Sequence, residues 1–251
     1  MRIRLPWIAL AVGAYLAFVL STFPAAAAIR WFVPDQVRIA GASGTVWSGS
    51  AELASVPGLA LRDVRWRIRG LYLVLGRISG NLSARLPNGF VEAQVTASPV
   101  SLSLRDVRLT TNLDSLAGLL PVSGASGAIS ATFESLVLRD GWPSEVRGEV
   151  RVADLLVEPY INPEEGLIAL GTHEIRFEEA PEGEIRGVIR DLGGPLEISG
   201  SLSFTQSRDY VLDGQLLARP DAAPGLLQGI DLMTSDPDSS GHRRFTFTGS
   251  L

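Results

Sequence analysis

Apolar and polar residues change places at every second position along most of this chain. Val64, Trp66 and Ile68 alternate with Asp63, Arg65, Arg67 and Arg69, and Val91, Ala93 and Val95 with Glu92, Gln94 and Thr96. Leu196, Ile198, Leu202 and Phe204 alternate with Glu197, Ser199, Ser201 and Ser203. Successive side chains of a strand point to opposite faces, so this period predicts strands with one buried and one wet face. The pattern recurs over 100–104, 128–138, 146–152, 168–177, 185–189, 210–216 and 244–251. Turn residues separate the runs: Pro57-Gly58, Pro87-Asn88-Gly89, Asp140-Gly141 with Trp142-Pro143, and Gly193-Gly194. Strands at such spacing predict an antiparallel meander, with 185–189 pairing to 168–177.

Four stretches depart from the alternation. The Gly-rich segment 41–49 predicts a tight bend where backbones approach closely. The run 72–86 is extended but broken at Gly76 and Gly80. Two Leu-rich segments predict short helices: 112–120, capped by Asn112 and stopped by Pro121, and 224–230. Each follows a hairpin, about 107 residues apart. A duplication would divide the body into halves, 36–125 and 126–251.

Ahead of the strands, residues 5–29 carry no charge and lie between Arg4 and Arg30. As one helix they would span roughly 37 Å at about 1.5 Å per residue, enough for a hydrocarbon core of about 30 Å. Arg2 and Arg4 place residues 1–4 in the cytoplasm as a stub, with residues 30–251 outside. Trp31 and Phe32 beside Arg30 read as an interfacial anchor. A cleaved signal peptide ending at Ala25-Ala26-Ala27-Ala28 is the alternative, but the apolar run is long for one, so an uncleaved anchor is expected. Either way the body is exported.

Charge narrows the partners. Net charge is −5 over 251 residues, and without Arg2 and Arg4 the exported part has 20 basic and 27 acidic residues. An acidic body argues against nucleic acid and against a polybasic face on anionic lipid. The absence of Cys excludes disulfides and thiolate chemistry. No Walker loop, Gly-x-Ser-x-Gly elbow or strand–Gly-x-Gly-x-x-Gly–helix unit occurs. His173 and His242 form no zinc motif and read as surface or loop residues. Asp231, Asp236 and Asp238 lack calcium-loop spacing, and Glu178, Glu179, Glu182 and Glu184 read as a charged turn. Trp47, Trp66 and Trp142 read as core anchors of the sheet. No catalytic, cofactor or metal residue is expected.

Certain short motifs carry a family likeness. Gly44-Thr45-Val46-Trp47-Ser48-Gly49 after an N-terminal apolar segment, Val64-Arg65-Trp66-Arg67-Ile68 and then Gly76 resemble the start of the general secretion pathway protein N family, the N component of the type II secretion system. Gly141-Trp142-Pro143 and Val146-Arg147-Gly148-Glu149-Val150 resemble its middle; Leu212-Asp213-Gly214, Arg219-Pro220 and Leu226-Leu227 resemble its end. Arg69-Gly70 departs from the break expected after the Trp strand. Gly44, Trp47, Gly49, Trp66, Gly76, Gly141, Trp142, Pro143, Gly148 and Gly214 are motif residues of structural type.

The expected fold is mainly β: an N-terminal transmembrane helix, then an elongated, curved antiparallel meander with one or two short helices. The resemblance implies a non-enzymatic, single-pass protein of the bacterial inner membrane with its body in the periplasm. It would support export of folded proteins across the outer membrane. Its partners would be other secretion components, of the inner-membrane platform or the periplasm. The alternative is a periplasmic lipid- or hydrophobe-binding protein, its apolar face open as a groove of the AsmA type.

Overall fold

Period-two alternation is satisfied by pairing each strand with its neighbour in sequence. The computed structural model describes residues 5–34, 36–70, 76–118, 124–159, 166–180, 184–205 and 207–250. In it the strands are β1 (Arg38–Ala40), β2 (Ser43–Gly44), β3 (Ser48–Val56), β4 (Leu59–Arg69), β5 (Ile78–Leu86), β6 (Gly89–Ala97) and β7 (Ser101–Asn112). They continue as β8 (Ala125–Arg139), β9 (Trp142–Val157), β10 (Ile168–Glu178), β11 (Glu184–Gly193), β12 (Leu196–Thr205), β13 (Asp209–Ala218) and β14 (Arg243–Ser250). All 14 lie in one antiparallel sheet. From β3 to β14 the spatial order is the chain order, and β1 and β2 both pair with the outer edge of β3. The sheet runs on through β7 and β8 without interruption.

Register makes the sheet two-faced. Ala84, Val91, Leu109, Ala131, Val150, Ile175 and Ile189 are successive cross-strand partners, and the row ends in Gly200, Gly214 and Phe245. Two residues along, Phe133, Gly148, Phe177, Gly187, Leu202, Leu212 and Phe247 form a parallel row on the same face. The opposite face carries Arg65, Ser83, Glu92, Arg108, Thr132, Glu149 and Arg176 in register. Because partners in an antiparallel pair share a face, a one-residue slip anywhere would exchange the two surfaces.

Aspartates at positive φ interrupt the ladder. Asp63, Asp106 and Asp154 have φ of 49°, 49° and 50°, and the pairing shifts register beside each. Asp tolerates this left-handed conformation better than most residues, and a bulge bends its strand. Between β9 and β12 the sheet rolls. Cα atoms of β9 and β11 approach within 8 Å, although two flat strand spacings come to about 9.6 Å. The Trp142 indole N–H reaches across the ends of β10 and β11 to donate to the Thr205 carbonyl at 3.1 Å.

Several local expectations are corrected. The single helix expected over 5–29 is two: α1 (Leu5–Ser21) and α2 (Ala25–Phe32). Pro24 has an extended backbone and begins α2, because a proline ring cannot continue the preceding helix. The 17 residues of α1 rise about 25 Å at 1.5 Å each. Among the described residues no helix is long and apolar enough to cross a membrane. Gly80 does not break the chain; it lies inside β5, paired with Ile68 and Val95. Trp142-Pro143 is no turn but the first two residues of β9, the turn being Asp140-Gly141 alone. The helix expected from Asn112 is a single 3-10 turn, Leu113–Leu116, and Asn112 makes no side-chain cap; residues 119–123 lie outside the described ones. The second short helix is present as α3 (Pro224–Met233).

Candidate functional site, an apolar sheet face

A sheet with one apolar face requires a cover on that face, and here the cover is partial. α3 lays Leu226 and Ile230 against Ile168, Leu196, Leu216 and Phe245, forming the larger buried cluster. A smaller one joins Ala51, Val64 and Ala84, flanked by Trp66 and Val91. Between them the face has no second layer among the described residues. Trp66, Ile198, Leu202 and Phe204 all lie on the apolar face by register and are half-buried, Trp66 against the smaller cluster, Ile198 against the larger and Phe204 against Trp142.

The motif residues are placed as follows. Gly44, Trp47, Gly49 and Trp66 form one assembly. A methyl on Gly49 would lie 2.5 Å from the Trp66 ring, and one on Gly44 2.6 Å from the Ser48 carbonyl. The Trp66 indole N–H donates to the Val46 carbonyl at 3.0 Å. Gly148 is the partner of Phe133 and Phe177, and Gly214 that of Phe245, so each glycine makes room for an aromatic ring on the apolar face. Trp142 packs edge-on against Phe204, the Arg208 guanidinium lies 5.8 Å from its ring centre, and Pro143 pairs with Leu138. Gly76 and Gly141 sit in turns at the start of β5 and β9.

The turn between β2 and β3 holds the N-terminal helices. The Val46 amide donates to the Phe23 carbonyl at 3.0 Å, and the Trp47 indole N–H donates to the Leu20 carbonyl at 2.7 Å. These carbonyls lie at the end of α1, where helical partners run out. Leu20, Phe23, Ala28, Trp31, Val46, Trp47, Ile68 and Ile78 line an open apolar hollow of about 490 Å³ there.

Polar groups on the apolar face were not anticipated. His173 is not a surface residue: it sits on β10 in register with Ile175 and Phe177, and both ring nitrogens are buried without a hydrogen-bond partner among the described residues. The alternation 173, 175, 177 was the available signal. Burial pushes the His173 imidazole below the usual histidine range, against the pull of the Asp191 carboxylate 3.8 Å away and of the Leu170 carbonyl. Arg219 ties Asp191 to Glu197 and donates to the Gly194 carbonyl. Thr111 is 1% exposed, and its hydroxyl has no partner among the described residues. His242 lies in the loop before β14, where Ser240 and Asp238 hold it; the Ser240 hydroxyl and amide keep the Asp238 carboxyl below the usual range. Glu179 pairs with Arg147, and no acidic cluster suited to a metal occurs among the described residues.

Charge is not spread evenly. Residues 1–112 contain 12 Arg and 5 acidic residues, and residues 113–251 contain 10 Arg and 22 acidic residues. The acidic balance read over the whole body thus belongs to the second half, and the end of the sheet next to α1 is basic.

These features define an amphipathic β protein built on one sheet, with an apolar helix pair clasped to one end and a partly covered apolar face. The model of the type II secretion system (T2SS), protein N family matches residues 35–246, and the chain belongs to that family. It is similar to the type II secretion system protein N of Aeromonas hydrophila, 23% identical over 97% of both chains. It is also similar to that of Pectobacterium carotovorum subsp. carotovorum, 26% identical over 96% of this chain and 94% of the relative. No solved structure matches.

Proposed function

We propose that this chain is a non-enzymatic component of the type II secretion system, held at the inner membrane by its N-terminal helices with the sheet in the periplasm. The family match over most of the chain carries this reading. The helices support the anchor: Trp7, Leu10, Tyr15 and Phe18 project from α1 at 63–66% exposure, which an aqueous setting would not favour. Other secretion components would dock on the free edges, β14 or β1 and β2, by strand addition. Deletion of the gene is expected to lower secretion of exoproteins, with recovery from a plasmid copy. Unchanged secretion with full assembly overturns the role. Intact mass of the mature chain tests retention of the first 28 residues.

A second reading is favoured by the stretch of the apolar face that lies between the two buried clusters without a second layer among the described residues: a lipid or other hydrophobe lies along it. Mass spectrometry of the purified full chain should then find co-purifying lipid. A lipid-free protein with an unchanged fold overturns it.

A further inference from the structure

We propose that the free edge of β14 pairs antiparallel with β14 of a second copy of this chain, about a two-fold axis at Phe247. This rests on the strand-addition part of the reading above, giving it one edge and one partner, and not on the anchor or the secretion role. The backbone directions along β14 are fixed at Arg244. Its amide donates to the Ser235 hydroxyl at 3.1 Å, and its carbonyl accepts from the Ser235 amide at 3.0 Å. The backbone groups of Arg244 therefore point away from β13. Along a strand these directions alternate from residue to residue, and β14 holds one register against β13 from Arg243 to Ser250. Thr246 and Thr248 thus also turn their amides and carbonyls outward, and no described residue pairs with them. Such an edge is a template for another strand. At the far end of the sheet β1 and β2 cover the edge of β3, whereas Ser235 caps β14 at Arg244. Between Phe245 and Ser250 no proline, bulge or charge blunts the edge.

The open segment, Phe245-Thr246-Phe247-Thr248-Gly249, complements its own reverse. Laid antiparallel on itself about Phe247, it sets Phe247 opposite Phe247, Thr246 opposite Thr248 and Phe245 opposite Gly249. The phenylalanines and the glycine then continue the apolar face across the axis, and the threonines continue the polar one. Because Thr246 and Thr248 face outward, they form the hydrogen-bonded pairs, and Phe247 forms the closer, non-hydrogen-bonded pair. Cross-strand aromatic pairs and threonine pairs both stabilise a sheet. Phe247 is 38% exposed in the single chain and gains a cover. Phe245 is already packed beneath α3, and the glycine opposite adds no bulk to it. Like charges do not meet, since Arg244 falls opposite Ser250 and Arg243 is held by Asp231 at 2.6 Å. A slip of one residue sets phenylalanine against threonine and mismatches the two faces. A slip that sets Thr246 opposite Thr246 drives Thr248 of the second copy against Ser235, which already occupies Arg244.

The chain has no cysteine, so introduced ones report position without background. Full chains carrying Thr246→Cys and Thr248→Cys, each with its own tag, are co-expressed and oxidised in isolated envelopes. The register sets these two cysteines opposite each other at about 5.5 Å between Cα atoms, inside the disulfide range. Either cysteine lies diagonal to its own copy at about 7–8 Å, outside that range. A mixed disulfide is expected to form in preference to either self-disulfide. Its absence, or self-disulfides of equal yield, overturns the pairing. A disulfide to another protein in its place overturns the second copy as the partner. Thr248→Pro then removes an outward amide that β13 does not use, a position where an edge strand tolerates proline. Sedimentation of the detergent-solubilised full chain should give the mass of two chains for the parent and of one for this variant, with unchanged far-UV circular dichroism. If Thr248→Pro unfolds the chain, Phe247→Arg sets like charges against each other at the axis and should have the same effect. A parent with the mass of one chain, or a folded variant that keeps the mass of two, overturns the proposal. Neither experiment reads secretion, so the failure of this pairing and the failure of the secretion role remain distinct.

Discussion

Gly214→Ala adds one methyl to the apolar face and tests whether glycines there exist to seat aromatic rings. The new carbon would lie 2.8 Å from Cζ of Phe245 and 2.5 Å from the Ser199 carbonyl oxygen. Phe245 is 5% exposed and packed among Leu216, Leu226 and Ile230, so its ring has no free space to swing into. In an unstrained strand the substitution would stabilise by about 0.4–1 kcal/mol through the unfolded chain, whereas overpacking costs about 1–3 kcal/mol. The expected net is a loss of about 1–2 kcal/mol, read as a lower urea midpoint with an unchanged slope. Phe245→Leu shortens the opposing side chain. The pair Gly214→Ala with Phe245→Leu should recover at least about 0.5 kcal/mol relative to the sum of the single variants. What remains unrecovered measures the contact with Ser199. A Gly214→Ala protein as stable as the parent, or single effects that add within about 0.3 kcal/mol, would refute the reasoning.

Other outcomes follow from the same structure. Thr111→Val removes a hydroxyl buried without a partner and should stabilise by about 1 kcal/mol in urea titration; a loss of stability would mean the hydroxyl is satisfied. For His173 the folded-state value lies below the ordinary histidine value of about 6.5, so its contribution is complete above that pH and is lost as pH falls toward the folded value. Urea midpoints measured from pH 8 down to 5 should fall more steeply for the parent than for His173→Gln, and parallel curves would exclude His173 as the source. Ile230→Ala should cost about 2–5 kcal/mol, because Ile230 sits beneath α3 at 7% exposure. Leu232→Ala, at 71% exposure, should change stability by under about 0.5 kcal/mol, and equal effects would refute the docking face of α3.

Period-two alternation is a local property, so the sequence by itself determined most strands, their chain-order pairing and the two-faced character of the sheet. It also determined α3, because Pro224 and the spacing of Leu226, Leu227 and Ile230 need no distant partner. Nonlocal contacts decided the rest. Trp142-Pro143 reads as a turn until Thr205 and Phe204 are seen to receive the indole from across the sheet. Gly80 reads as a break until Ile68 and Val95 flank it. His173 reads as surface until register sets it beside Asp191, under which Arg219 closes. The apolar segment 5–29 reads as one span. Its division at Pro24 is local, but its clasp to Val46 and Trp47 requires a turn that lies more than twenty residues away in the chain. Alternation shows that a face is apolar; only the folded sheet shows how much of it is left without a cover, since covering depends on where α1, α2 and α3 come to rest.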